Sequence, residues 1–207
     1  MSSAADSNNA SAVAAPRPQR VVIVPGNGCA NIEAANWYLP VANELRDKYG
    51  CDVRVRSMPD PVEAKRSIWL PFILNELGAD EDTVLIGHSS GAMAALRLLE
   101  SHKLKGAILV SACHTDLGME SETISGYYPH ADGSNPWNWD AIKNNAQWIA
   151  QLHSEDDPFI DPSEARFVAK HIGSEYVEHK DRGHYMTRDM PDVIDIVVKK
   201  CGLKKKD

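Results

Sequence analysis

The stretch Asp82-Thr83-Val84-Leu85-Ile86-Gly87-His88-Ser89-Ser90-Gly91-Ala92-Met93-Ala94-Ala95-Leu96 carries three signals in a row: a β-branched apolar run, a G-x-S-x-G turn and an Ala/Leu-rich helix former. That is the context of a nucleophile elbow. Glycine is expected at 87 and 91 because so tight a turn leaves no room for side chains there. The strained turn would lift the Ser89 hydroxyl above a sheet, and the next N–H, that of Ser90, would point at a developing oxyanion. Ser89 is therefore the candidate nucleophile. The pentapeptide alone is a common accident, and a serine in an ordinary strand-to-helix turn would only cap the helix. The strand before it and the helix after it favour the chemical reading.

Working outward, Val21–Val24, Val53–Arg56, Ala107–Val110, Trp148–Leu152 and Tyr176–Glu178 join Thr83–Ile86 as predicted strands. Amphipathic stretches near 36–49, 61–77, 91–102, 138–145, 162–171 and 190–200 read as helices between them. This alternation predicts an α/β fold, a mostly parallel sheet of about six strands with right-handed crossovers, helices on both faces and a site at the strands' C-terminal ends. Asp60-Pro61-Val62-Glu63 predicts a helix start, with an N-cap acid and proline at the first helical position. Pro71 predicts a kink or restart within that helix.

The chain has 207 residues, 43% of them hydrophobic, enough for one well-buried core. Residues 1–20, rich in Ala, Ser and Asn with Pro16 and Pro18, read as a disordered tail. A single domain is expected over 21–203, with a lid-like insertion at about 114–139. Arg17 and Arg20 are too few, and Asp6 too acidic, for a transit peptide. A formal charge of −7 argues against nucleic-acid binding, and the lysines at 199, 200 and 204–206 suit a helix C-terminus and a solvated tail. The four cysteines show no C-x-x-C spacing, no secretory leader opens the chain and no apolar run reaches the roughly 18 residues of a membrane span. A cytoplasmic protein with reduced thiols and no membrane association is expected.

A serine hydroxyl needs a base and an acid that orients the base, which α/β-hydrolases supply in the order Ser, Asp, His. Of eight histidines, His184 in Arg182-Gly183-His184-Tyr185 follows the last predicted strand and is the candidate base. His88 is expected to point away from the nucleophile. The acid should end the penultimate strand, where Ser154-Glu155-Asp156-Asp157-Pro158 offers three carboxylates. Asp157 is the choice and Asp156 its competitor. The N–H of Ser90 and that of Asn27, in Pro25-Gly26-Asn27-Gly28-Cys29, are the candidate oxyanion donors. This loop also begins like G-x-G-x-x-G, but Asn31 takes the third glycine position and Arg56-Ser57 stand where a dinucleotide site needs an acid. With no P-loop, no H-E-x-x-H and no tight Cys/His cluster, neither a cofactor nor a metal is expected. In the insertion, Tyr127, Tyr128, Trp137 and Trp139 are candidates for a pocket that holds apolar acyl or aromatic groups.

From about Val21 to Lys200 the chain resembles the retinoblastoma-binding protein 9 family of small α/β-hydrolase-fold serine hydrolases. Besides Gly87-His88-Ser89-Ser90-Gly91-Ala92, the resemblance lies in Val24-Pro25-Gly26-Asn27-Gly28, Asn36-Trp37-Tyr38, Met58-Pro59-Asp60-Pro61, Ser67-Ile68-Trp69-Leu70-Pro71-Phe72, Asp116-Leu117-Gly118, Ser125-Gly126-Tyr127 and Asp156-Asp157-Pro158-Phe159. It implies a catalytic triad on Ser89, Asp157 and His184, and an esterase or amidase acting on small substrates, aminoacyl types among them. The alternative is a module that keeps the hydrolase fold but acts by binding a partner. Members that bind the retinoblastoma protein carry L-x-C-x-E. Here the stretch reads Leu77-Gly78-Ala79-Asp80-Glu81, with alanine for the cysteine, which argues against that partner. Pro129 to Asn135 is longer than the family's usual loop, so its lid and substrate preference do not carry over.

Overall fold

The structure, a computed structural model, describes residues 18–206. Its sheet is built from β1 (Arg20–Val24), β2 (Asp52–Val55), β3 (Thr83–His88), β4 (Gly106–Val110), β5 (Ile149–Ser154) and β6 (Glu175–His179), all parallel in the order β2-β1-β3-β4-β5-β6. The helices are α1 (Tyr38–Tyr49), α2 (Arg66–Asn75), α3 (Ser90–Leu99), α4 (Glu120–Ser125), α5 (Trp139–Asn144), α6 (Pro162–Ile172) and α7 (Pro191–Cys201). This is the α/β-hydrolase arrangement expected from the alternation of β-branched and amphipathic runs.

The side-chain period of two divides each central strand between two cores. Val21, Ile23, Val84 and Ile86 pack with Tyr38, Val41 and Leu45 of α1 and Val193 and Val197 of α7. Val22, Val24 and Leu85 face the opposite way, onto Trp69 and Ile73 of α2, Val168 of α6 and most of α3. Helices on both faces leave β3 and β4 wholly buried, which is why both strands are apolar nearly throughout. The chain order reverses between β1 and β3. The helices that follow them, α1 and α3, pack in opposite cores, which places the switch point at the strands' C-terminal ends.

Several sequence expectations need correction. Gln19 and Arg20 belong to the folded part: Arg20 pairs with Asp52 and Thr83 across the sheet, and Gln19 Nε2 donates to the Asp82 carbonyl. The rest of the expected tail, up to residue 17, lies outside the described residues. At the other end Lys206 N–H donates to the Lys48 carbonyl at 2.7 Å, so the lysine tail is tied to the end of α1. Asp60 does not cap a helix. Asp60 and Ala64 adopt φ of 49° and 51°, the Asp60 carboxylate accepts from Lys65 N–H, and α2 starts only at Arg66. Ala64 N–H donates to the Asp60 carbonyl at 2.9 Å, and Met58 and Ala64 are buried. Pro71 lies inside α2 without ending it, because the carbonyl it leaves unpaired belongs to the exposed Ser67, where water can take its place. The insertion also contains α4, too short to give a readable period.

Candidate active site

Steric exclusion makes the elbow. A Cβ on Gly87 would lie 2.3 Å from the Gly91 carbonyl oxygen, and one on Gly91 would lie 2.3 Å from that of Val24. Ser89 between them has φ 53° and ψ −121°, a strained conformation held by its N–H to the Val110 carbonyl and by Ala92 N–H on its own carbonyl. The loop after β1 approaches from one side: a Cβ on Gly26 would meet Ser89 Cβ at 3.1 Å, tighter than an ordinary contact, so glycine lets the two segments close without displacement. Neither Ser90 N–H nor Asn27 N–H has a hydrogen-bond partner among the described residues.

His184 follows β6 in a turn where Gly183 and Tyr185 both have positive φ. Its Nδ1 lies 2.8 Å from Asp157 Oδ2. A carboxylate only accepts, so Nδ1 carries the proton and Nε2 is the basic nitrogen. Asp157 has no exposed side-chain surface and is fully partnered: Oδ2 also accepts from Ser111 Oγ, and Oδ1 accepts from the N–H groups of Phe159 and Ile160. Burial opposes the charge, but the His184 contact and the two amides outweigh it and hold the carboxyl below its ordinary pKa. Asp156 points elsewhere, accepting from Ser154 Oγ and from Gly183 N–H, and so braces the turn that carries His184. No hydrogen bond joins Ser89 Oγ to His184, and both line one cavity of about 480 Å³.

The cavity's wall corrects part of the sequence reading. Tyr128 lines it, whereas Tyr127 is fully buried in the core behind it. Trp137 and Trp139 stack on each other at 5.3 Å, with the Arg97 guanidinium 3.8 Å over Trp137, on the far side of the insertion. Trp137 packs the insertion onto α3 and Trp139 packs on Phe167 and His171 of α6, and neither lines the cavity. Cys113, Leu117, Met119, Ile160 and Met186 supply its apolar surface instead, with Phe159 at 5.0 Å from the His184 ring. Single residues in loops leave no periodic trace, so the sequence offered no route to them. Glu122 on α4 is the carboxylate among the lining residues, accepting from Asn27 Nδ2 and from the Tyr128 hydroxyl. His88 does not point away: its ring lies 5.0 Å from that of His184 and its Nε2 is 2.9 Å from the His184 carbonyl oxygen. No helix among the described residues is long and apolar enough to cross a membrane.

Known proteins resemble this chain in sequence and in fold. The sequence model of the family described as "Serine hydrolase" matches residues 21–189. The serine hydrolase RBBP9 of Rattus norvegicus is 43% identical over 180 residues, which is 87% of this chain and 94% of the rat protein. Among solved structures, the ydeN gene product of Bacillus subtilis superposes with a TM-score of 0.77 at 24% identity, covering 89% of this chain and 99% of that one. The type II thioesterase BorB of the borrelidin biosynthetic cluster gives 0.60 at 17% identity, over 93% and 94% of the two chains. At such identities these two structures speak for the fold alone.

Proposed function

Because this chain belongs to the serine hydrolase family and is a hydrolase, we propose that it cleaves small carboxylic esters or amides, aminoacyl types among them, through an acyl-enzyme on Ser89. The observation that carries the proposal is the buried Asp157–His184 pair ending beside the strained Ser89 in one cavity. In the proposed reaction His184 Nε2 takes the Ser89 proton as Oγ attacks the substrate carbonyl, and Asp157 holds the imidazolium that results. The free N–H groups of Ser90 and Asn27 are the donors for the oxyanion. His184 then gives its proton to the leaving alcohol or amine, and water, activated by the same nitrogen, releases the acid and restores Ser89. The apolar wall from Cys113 to Met186 supports an apolar or aromatic group on the substrate.

Labelling with a fluorophosphonate probe tests this without knowledge of the substrate. The wild type should label. Ser89→Ala should not, and its ester turnover should fall by on the order of a thousandfold or more with cooperative unfolding retained, because the three residues act as a unit. Undiminished turnover in Ser89→Ala would remove Ser89 from the role.

A further inference from the structure

One acceptor fixes the direction of a buried hydrogen-bond chain behind His184. The His184 carbonyl can only accept, so His88 Nε2, 2.9 Å from it, carries the proton. A neutral ring then has a bare Nδ1, and the Tyr38 hydroxyl, 2.6 Å away, donates to it. The Tyr38 oxygen is left to accept, and Gly26 N–H and Asn36 Nδ2 reach it at 3.2 Å each. Tyr38 and His88 are only 1% and 2% exposed, so water does not compete for these groups. The chain starts in the loop that bears Asn27, crosses α1 and the end of β3, and finishes on the backbone of His184. The residues at its two ends, Gly26 and His184, line the cavity together with Ser89.

We propose that Tyr38 and His88 are positioning residues for the hydrolytic reaction, setting the spacing between the Asn27 N–H on one side of Ser89 and the His184 imidazole on the other. This rests on the reading of Ser89, His184 and Asp157 given above. A displacement of about 1 Å at either end would cost on the order of a hundredfold in rate. The chain requires a neutral His88. With a second proton, its Nδ1–H, Gly26 N–H and Asn36 would set three donors on two lone pairs of Tyr38. The groups facing His88 are Tyr38 and the Trp37 ring beside α1, His184 from the turn after β6, and Asp157 beyond it. Burial, first, and then the His184 charge push the His88 pKa down to about 3.

Tyr38→Phe removes one oxygen and keeps the ring. With p-nitrophenyl acetate as the probe substrate, kcat should fall by about 10- to 100-fold while KM stays within about threefold. His88→Gln keeps a donor for the His184 carbonyl and should retain more of kcat than His88→Leu. Nitrogen NMR of the wild type should show His88 as the Nε2–H tautomer, unchanged from about pH 8 to about pH 4.5. A Tyr38→Phe enzyme with wild-type kcat, equal losses in the two His88 variants, or a His88 that titrates near the ordinary value of about 6.5 overturns the proposal. The NMR measurement decides even where a variant fails to fold. Fluorophosphonate labelling of the wild type separates the two readings: its absence refutes the serine mechanism, whereas labelling with an unaffected Tyr38→Phe refutes only the positioning role.

Discussion

Asp156 and Asp157 differ by one step along the chain and serve different partners. Asp157 is buried against His184, Ser111 and two amides, whereas Asp156 accepts from Ser154 Oγ and Gly183 N–H at the surface. Under the proposed mechanism Asp157→Asn replaces an acceptor by a group that also donates and frees His184 to take the wrong tautomer. Its kcat/KM should fall by on the order of a thousandfold or more, and Asp156→Asn by less than about tenfold, since that change only loosens a turn. Steady-state kinetics on both variants checks this, and a larger loss in Asp156→Asn would reverse the assignment. The sequence put Asp157 ahead of Asp156 within the acidic cluster, but the contact with His184 is visible only in the fold, because adjacent residues in an irregular turn have no fixed relative direction.

The element that ties the insertion down is α3, through Arg97. This guanidinium is 2% exposed and donates to the carbonyls of Tyr127, Asn135 and Pro136, and to Glu100, while covering the Trp137 ring. A lysine has one point of donation and no flat face, so Arg97→Lys leaves carbonyls unmet and should cost about 2–4 kcal/mol in urea unfolding. A loss below about half a kcal/mol would show that the insertion holds by its apolar contacts alone. The end of α2 is similarly committed. Leu77 and Ala79 are buried, their N–H groups donate to Phe72 and Ile73, and Arg20 and Arg54 hold the Gly78 and Leu77 carbonyls. A peptide so engaged is not presented as an extended ligand. Calorimetric titration against the retinoblastoma pocket domain should therefore detect no binding by the wild type or by Ala79→Cys. Submicromolar affinity that survives Ser89→Ala would favour the partner-binding alternative. Tyr128 lines the cavity as expected, whereas Trp137 and Trp139 do not, for a related reason: a cluster of tryptophans signals burial, but which wall Trp137 joins depends on where Arg97 emerges from α3.

Across the molecule burial disfavours the charged form of three histidines. Burial is the first cause at His88, His114 and His153, and in each it leaves the pKa below the ordinary value of 6.5. The unfolded chain therefore binds more protons as pH falls below about 6.5, and stability present above that pH is lost on acidification. At about pH 5, His88 alone should cost about 2 kcal/mol. The Tm should fall between about pH 7 and pH 5, before the carboxylates titrate, and His88→Leu should flatten part of the slope. A Tm that holds or rises over that interval would contradict the burial of these rings. None of this was legible in the chain, where His88 stood as a residue turned away from the site. The alternation of β-branched and amphipathic runs determined the parallel sheet and all six of its strands, since period and propensity are local properties. The glycines at 87 and 91 likewise announced the elbow, because a backbone approach that excludes Cβ is written in residue type. Which loops meet above β1 and β3, which residues line the cavity and how Tyr38 and His88 join Gly26 to His184 were decided only by the tertiary structure. Those contacts span 12 to 96 residues, and their hydrogen bonds form only after two cores have brought the segments together and removed the water between them.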